Sequence, residues 1–294
     1  MKAREPRAVT PIPPPQVAVI TDSSAELSPE TAERLGITVV PLRIHLGRES
    51  FHDGPELPAA TFLQELRRSS HFPRPAPPSR DEFHRAYQRL CNEGHEVFSL
   101  HISSKLSETY RSAREAAKSL LGQCRIEVVD SLTTSRSLGA LTAAAAEAAR
   151  AGAGVDDLVT LVRRMRPNLY LVIFADTLNY LEREGHIRGS HALLGSMLGI
   201  KPLLILEEGE IVPLEKSPNT TRAAERLFEF ISEFAKIESM TIVHGGDGAS
   251  LQGLVQRVEA AFPHTPLDVD LYGPALASYV GPGGLGVFVN EGMP

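Results

Sequence analysis

The amino-acid sequence predicts an α/β protein of two lobes, an N-terminal lobe with a largely parallel sheet flanked by helices and a second α/β lobe. The chain has 294 residues, more than the roughly 100–200 residues of a typical domain. Hydrophobic residues make up 42% and charged residues 22%, which is the usage of a folded globular protein. Short β-branched runs alternate with helical patterns, as they do in βαβ units.

The predicted elements follow one another regularly from residue 16 onward. Short apolar runs predict strands at 16–21, 97–102, 125–130, 169–175, 202–206, 240–245, 267–272 and 285–289. Helical patterns occupy 29–35, 59–68, 80–91, 108–121, 138–151, 156–165, 221–234 and 251–262. Helix-end chemistry supports these bounds, since Ser28 precedes Pro29 at a helix start, and Gly36 and Gly122 each follow a helix end. The small residues of the alanine-rich helix 138–151 predict close packing against a neighbouring element.

Two breaks in this pattern set the predicted organisation. Residues 1–15 contain five prolines and no apolar core of a signal peptide, so they are expected to form a disordered leader. Residues 165–168 interrupt the alternation near the middle of the chain. The sequence therefore predicts an N-terminal lobe over residues 16–165 and a C-terminal lobe over residues 166–294.

Charge, cysteine content and hydropathy exclude several classes of protein. The net charge of −6 has the wrong sign for a protein that binds nucleic acid or an anionic membrane. Cys91 and Cys124 are too few for a disulfide framework or a structural zinc site, and they are expected to pack as small hydrophobic residues in a reducing cytoplasm. The longest apolar runs are too short to span a bilayer, so no stable membrane insertion is expected.

Polar residues follow the ends of several predicted strands. Ligands of parallel α/β sheets bind outside the carboxyl ends of the strands, so Asp22, Ser103 and Ser104 are expected at a common rim. At any single position, capping a helix or closing a turn is the alternative role. In the segment 103–110, two hydroxyls and Lys105 precede a helix, whose N-terminus favours a carboxylate or phosphate by about 0.3–1 kcal/mol.

Known catalytic and cofactor motifs receive little support. The string G-P-G-G-L-G at 281–286 matches G-x-G-x-x-G, but it precedes a predicted strand near the C-terminus and opens no βαβ unit. The sequence contains no P-loop and no G-x-S-x-G nucleophile elbow. The ten histidines lack metal-site spacing, so neither a metal nor another cofactor is expected.

Six segments, in order along the chain, resemble the DegV family of fatty-acid-binding proteins. The residues TDSSAEL at 21–27 resemble the opening D-S-x-x-D/E-L motif, and ISSKLSETYRSA at 102–113 resembles S-S-K-L-S-G-T-Y-x-S-A. The remaining segments are VVDSLTTSRSLG at 128–139, DTLNYLEREGHI at 176–187, LGIKPLL at 198–204 and VGPGGLGVF at 280–288. The resemblance covers about residues 16–290.

The resemblance implies that a long-chain fatty acid such as palmitate is buried between the two lobes. It also implies a cytoplasmic, non-catalytic carrier that presents the carboxylate to a separate fatty acid kinase for acyl-phosphate formation. At the family's carboxylate-binding positions this chain retains Ser104, beside Ser103. The other positions fall on Pro75 and its neighbour Ala76, on His186 and on Tyr279, so the polar shell around the carboxylate is altered.

Approximate binding free energies indicate that the acyl chain, and not the altered polar shell, provides most of the affinity. Burying about fifteen methylenes contributes roughly 12 kcal/mol, against an association cost of roughly 4–15 kcal/mol. Hydrogen bonds to the carboxylate, worth about 0.5–3 kcal/mol each, then set its orientation. Three alternatives stay open: a hydrolase or transferase acting on a small carboxylate at the rim of Ser103 and Ser104, a phosphate or nucleotide binder, and a purely regulatory protein.

Overall fold

A computed structural model of the chain describes residues 16–54, 56–175, 177, 179–184, 201–246 and 248–293. The predicted leader, residues 1–15, and the predicted binding residue His186 lie outside these ranges. The strands are β1 Val17–Asp22, β2 Thr38–Val40, β3 Arg43–Leu46, β4 Glu49–His52, β5 Pro73–Ala76, β6 Glu96–His101, β7 Ile126–Asp130, β8 Leu169–Phe174, β9 Lys201–Glu207, β10 Glu210–Ser217, β11 Ser239–His244, β12 Leu267–Leu271 and β13 Leu285–Asn290.

The helices alternate with these strands, as the sequence predicts. They are α1 Pro29–Leu35, α2 Ala59–Arg68, α3 Arg80–Asn92, α4 Thr109–Lys118, α5 Ser135–Arg150, α6 Val155–Met165, α7 Asn179–Glu184, α8 Thr220–Ser232, α9 Ala249–Ala261 and α10 Pro274–Val280, with short 3₁₀ turns at Ser23–Ala25 and Arg166–Asn168. Ser28 accepts a hydrogen bond from the backbone of Thr31 at the start of α1, and Gly36 ends that helix with φ 70°. In the described ranges no helix is both long and apolar enough to cross a membrane.

The first sheet has the order β2-β1-β6-β7 and is parallel throughout. Alternate residues of β1 point to opposite faces, because strand side chains alternate. Val19 packs in the core under α5 and α6, whereas Ile20 packs with α3 and α4. The prediction of a parallel sheet covered on both faces is therefore confirmed for this part of the chain.

The second sheet has the order β10-β9-β8-β13-β11-β12 and is mostly antiparallel, with β11 and β12 as a parallel pair. The largely parallel arrangement expected from the alternation does not extend to it. A tight turn is one reason, since Glu208 (φ 47°) and Gly209 (φ 83°) join β9 directly to an antiparallel β10. One face of the sheet packs against α8 and α9, and the other faces the N-terminal half of the chain.

A three-stranded antiparallel sheet, with the order β4-β3-β5, was not predicted. Its strands have four residues each, and β5 contains Pro73 and Pro75, which argue against a central strand. The structure resolves this conflict because β5 is an edge strand that pairs with β3 alone. This small sheet places Pro75 and Ala76 beside the second half of the molecule.

The expectation that Cys91 and Cys124 pack as separate small hydrophobic residues is wrong. The two residues form a disulfide, with their Cα atoms 5.6 Å apart. Cys91 lies near the end of α3, and Cys124 lies in the segment between α4 and β7. Because α3 and α4 pack side by side on one face of the first sheet, residues 33 positions apart in sequence become neighbours.

Gly139 shows that the small residues of α5 permit a close approach, as the sequence predicts. A Cβ at this position would lie 2.5 Å from the carbonyl oxygen of Ala25, which is backbone. We expect Gly139→Ala to lower the free energy of unfolding by about 1–3 kcal/mol, because α5 must move away from the 3₁₀ turn. Urea unfolding followed by circular dichroism measures this change.

Gly253 provides the matched control for this substitution. It also lies inside a helix, α9, but a Cβ there meets no atom within 4 Å. Gly253→Ala is expected to raise the free energy of unfolding by about 0.5–1 kcal/mol through helix propensity alone. Equal changes in the two variants would contradict the close packing of α5.

Candidate ligand-binding site

The loop of residues 102–107 follows β6 at the carboxyl edge of the parallel sheet. Ser103 is fully buried, and its hydroxyl donates to the carbonyl oxygen of Gly209 at 2.8 Å. Ser104 is exposed, and its backbone N–H donates to Asp130 Oδ1 at 3.2 Å. The two serines therefore face opposite environments, and the buried one contacts the β9–β10 turn.

Tyr279 lies opposite this loop, on α10. Its side chain is buried, and its hydroxyl donates to the backbone carbonyl of Leu106 at 3.3 Å. The structure therefore brings a sequence-predicted position of the second half of the chain into contact with the 102–107 loop. A phenol at this point supplies a hydrogen-bond donor.

Pro75 and Ala76 lie on β5, the edge strand of the small sheet, and both are half-buried. They are opposite Ile44 and Arg43 of β3, and α10 packs against β5. The structure thus places these two predicted residues next to the helix that carries Tyr279. Neither side chain offers a hydrogen-bond donor or acceptor, which agrees with the altered polar shell.

A large apolar cluster fills the space between the small sheet, α2, α10 and one face of the six-stranded sheet. We call it the inter-sheet cluster, and its buried members include Ile44, Phe62, Leu66, Leu171, Ile173, Leu204, Leu276, Tyr279 and Val280. Leu169, Leu206 and Ile211 extend it to the core of the first sheet. Tyr279 belongs to this cluster and also reaches the 102–107 loop, so the cluster has a polar end there.

The loop after β1, residues 22–26, ties several parts of the site together. Ser23 Oγ donates to Asp53 Oδ2 at 2.9 Å and accepts from the backbone N–H of Leu42 at 2.9 Å. Glu26 Oε1 accepts from the backbone N–H of Gly273 at 2.6 Å, and Glu26 Oε2 accepts from Ser135 Oγ at 2.6 Å. The D-S-x-x-E segment therefore binds other loops of the protein itself. Its link to Gly273 joins the first sheet to the start of α10.

Burial changes the acidity of two carboxyls in this region. Burial raises the pKa of Asp53 to about 7, with the charges of Glu26 and Asp22 acting in the same direction and the Ser23 hydrogen bond opposing them. Burial also raises the pKa of Glu26, although Arg136 and the hydrogen bonds from Ser135 and Gly273 oppose the change. Burial of Asp53 and of Glu26 therefore disfavours the charged form of these two carboxyls.

A chain of buried hydrogen bonds lies beneath the 102–107 loop. His101 Nδ1 is 3.0 Å from Asp22 Oδ2, and His101 Nε2 is 2.7 Å from Ser99 Oγ. Ser99 Oγ is in turn 2.8 Å from the hydroxyl of Tyr87. All four side chains are fully buried. The order of these groups resembles a Ser-His-Asp triad. However, His101, which would be the base, contacts Ser99 and neither Ser103 nor Ser104, so this arrangement does not support hydrolysis at those two serines.

The glycine-rich segment 281–286 forms a helix-to-strand connection. Gly281 (φ 78°) ends α10, and Gly286 lies within β13, opposite Ile173 of β8. The backbone N–H of Gly284 donates to the hydroxyl of Tyr272 at 2.9 Å. This geometry agrees with the expectation that the string is not a dinucleotide-binding fingerprint, because no helix follows it. Among the described residues no cluster of side chains suited to a metal ion is found.

Sequence reasoning missed the residues that hold these loops in place. Asp53 follows β4 and Gly209 precedes β10, two edge strands that the sequence did not predict, and His101 ends β6. A glycine within the acidic run E-E-G-E, between two β-branched runs, is a hairpin signal that points to Gly209. The roles of Asp53 and His101 depend on contacts across 30 and 79 positions of sequence, for which no local pattern exists.

Comparison with known proteins places these features in one family. The family model described as "Uncharacterised protein, DegV family" matches residues 16–291. A DegV domain-containing protein of Streptomyces coelicolor is 37% identical over 283 residues, which cover 94% of this chain and 98% of that protein. The fold and the sequence together define an α/β protein of the DegV type, with two larger sheets and a small three-stranded one. The chain belongs to the DegV family.

Solved structures support the same assignment. A DegV family protein of Thermus thermophilus, described as fatty-acid-binding, superposes with a TM-score of 0.82 at 30% identity, over 94% of this chain and 99% of that one. DegV of Bacillus subtilis, described as a fatty acid binding protein, superposes with a TM-score of 0.84 at 25% identity, over 94% and 99% of the two chains. The predicted family and fold class are therefore confirmed.

Proposed function

We propose that this protein binds a long-chain fatty acid such as palmitate between its two lobes, residues 16–165 and 166–294. The acyl chain packs among the side chains of the inter-sheet cluster, which separate to admit it, and the carboxylate lies at the 102–107 loop, near Ser104. The observation that carries this proposal is an apolar cluster with a polar end, where Tyr279 meets the carbonyl of Leu106. The description of the Thermus and Bacillus relatives as fatty-acid-binding supports the same ligand class.

The protein acts as a carrier in this proposal and not as an enzyme. It works in the cytoplasm, needs no metal or cofactor, binds no nucleic acid, and presents the carboxylate to a separate fatty acid kinase. Tyr279 supplies a donor on the α10 side by turning its single O–H from the Leu106 carbonyl to the carboxylate, while Pro75 and Ala76 contribute apolar surface. His186 is proposed as a further donor at the carboxylate, outside the described residues. The acyl chain provides most of the binding energy, and the reduced polar shell sets the direction of the carboxylate.

Native mass spectrometry of the purified protein tests ligand binding directly. We expect an added mass that matches one long-chain fatty acid, released on denaturation and replaced when palmitate is supplied. A protein that carries no fatty acid and takes up none from palmitate would contradict the proposal. Incubation with a fatty acid kinase, ATP and hydroxylamine then tests presentation, because an acyl phosphate reacts with hydroxylamine to give a hydroxamate.

The Ser104→Ala variant tests the position of the carboxylate. Loss of one hydrogen bond to a charged group, about 1.5–3 kcal/mol, is expected to weaken palmitate binding at least about tenfold. Hexadecanol has the same chain without the charge, and its affinity is expected to change little. Ser50→Ala, at an exposed serine of β4, is the matched control. Unchanged palmitate affinity in Ser104→Ala would place the carboxylate elsewhere.

A further inference from the structure

Asp22 is the most densely bonded side chain of the first sheet. Its Oδ1 accepts from the backbone N–H of Ser24 at 3.1 Å and from the Ser24 hydroxyl. Its Oδ2 accepts from the backbone N–H of Ile102 at 3.0 Å and from His101 Nδ1 at 3.0 Å. Because Asp22 is fully buried, these four donors replace the water that an ionised carboxylate needs.

The contacts of His101 assign the protons along the buried chain. A carboxylate only accepts, so Nδ1 of His101 carries the proton that points to Asp22. With Nδ1 donating to Asp22, Nε2 is placed to accept from the hydroxyl of Ser99, and the Ser99 oxygen to accept from Tyr87. Burial raises the pKa of Tyr87, which keeps that phenol protonated and able to donate. The hydrogen bonds therefore run from donor to acceptor in a single order, from Tyr87 to Ser99, to His101 and to Asp22.

The end of this chain lies where the 102–107 loop begins. The backbone N–H of Ile102 is fixed by Asp22, and the next N–H, that of Ser103, donates to the carbonyl of Thr133 at 2.9 Å. The backbone N–H groups of Leu106 and Ser107 both donate to the carbonyl of Ser103 at 3.0 Å. The orientation of the peptide at 102 therefore sets the start of a loop that ends at the contact with Tyr279.

We propose that Asp22 and His101 are positioning residues for fatty-acid recognition: they orient the 102–107 loop, and thereby the groups that meet the carboxylate, without touching the ligand. This inference rests on the proposed function and adds the residues that act from beneath the site. His101 holds one oxygen of Asp22, and so keeps the carboxylate aimed at Ile102. Removing the imidazole donor leaves one acceptor position of Asp22 unfilled and only the Ile102 N–H on its Oδ2, which weakens the hold on that oxygen.

The test compares two ligands in two substitutions of His101. In His101→Leu, palmitate affinity is expected to fall about tenfold, whereas hexadecanol affinity should change less than about twofold, since the acyl region is untouched. In His101→Asn, the amide nitrogen takes the place of Nδ1 and should restore most of the palmitate affinity. Equal losses for both ligands, or no rescue by asparagine, would overturn the positioning role.

Two further measurements separate this inference from the proposed function. Tyr87→Phe removes the hydroxyl at the far end of the chain, keeps the ring packing, and should leave the ratio of the two affinities unchanged. Hydrogen exchange of residues 102–107 should accelerate in His101→Leu and Asp22→Asn but not in Tyr87→Phe. Wild-type protein that binds neither ligand would refute the fatty-acid proposal. Unchanged hydrogen exchange of residues 102–107 in the His101→Leu variant would refute the positioning role, whether or not the protein binds fatty acid.

Discussion

The Glu26→Ala variant is expected to lose about 3–5 kcal/mol of its free energy of unfolding, the range for breaking a buried charged contact by removing one partner. The side chain of Glu26 is only 6% exposed, and it accepts from Ser135 Oγ and from the backbone N–H of Gly273, each at 2.6 Å. Arg136 Nε lies 3.7 Å from Glu26 Oε2, an ion-pair contact that is too long for a hydrogen bond. Truncation to alanine leaves the Ser135 and Gly273 donors without their acceptor and removes the carboxylate beside Arg136 Nε.

Asp270→Ala is the matched control for this variant. Asp270 is exposed and pairs with the other end of the same Arg136 guanidinium, at Nη2. Because exposed ion pairs contribute about 0–1 kcal/mol, its loss should be small. Urea unfolding of both variants measures the difference, and similar values for the two would show that burial of Glu26 is not the cause. Since Gly273 begins α10, palmitate affinity should also fall in Glu26→Ala through displacement of Tyr279.

The sequence predicts elements well where local chemistry determines them. The bounds of α1 and α2 match the predicted helices, because Ser28, Pro29 and Gly36 determine the first and a strong amphipathic pattern determines the second. Three of the four strands of the parallel sheet, β1, β6 and β7, match as well, since they are buried β-branched runs, whereas the three-residue β2 was not predicted. The ends of the three matching strands lie within one or two residues of the predicted ones.

Elements that depend on pairing partners were harder to predict. β10, with the sequence EIVPLEKS, contains Pro213 and lies at the edge of the second sheet, and β5 contains two prolines. Proline argues against a strand in both runs, and each is held by hydrogen bonds to one neighbouring strand. The antiparallel order of the second sheet follows from the position of β13 between β8 and β11, which no local signal encodes.

In the candidate site, too, features with a local sequence signal were predicted and those that depend on long-range contacts were not. The motif at 102–113 located the loop, and the resemblance located Tyr279 beside it. The orientation of the two serines was not predictable, because the buried one is defined by Gly209, 106 positions away in sequence. A Cβ at Gly209 would clash with Ser103 Oγ, so the approach of the hairpin depends on this glycine. Long-range contacts of this kind determine which hydroxyl faces the interior.

Asp53 gives the second large effect, a change of stability with pH. The pKa of its carboxyl is about 7 in the folded protein, against 3.8 for an ordinary aspartate. As pH rises from 4 to 7, the unfolded chain loses this proton while the folded protein still holds it, so the free energy of unfolding falls. At about 1.4 kcal/mol per pKa unit, the full penalty above pH 7 is at most about 4 kcal/mol.

The Asp53→Asn variant removes this penalty, because the amide stays neutral and its oxygen still accepts from Ser23. We expect the variant to gain stability relative to the wild type as pH rises from 4 to 8, up to the same limit of about 4 kcal/mol. Asp156→Asn is the control, since the hydrogen bond from Arg125 lowers the pKa of that exposed carboxyl. Its titration is complete by about pH 5, so its difference from the wild type should be constant from pH 5 to 8. Urea unfolding at each pH measures both, and a flat difference for Asp53→Asn would show that Asp53 is ionised in the folded protein throughout this range.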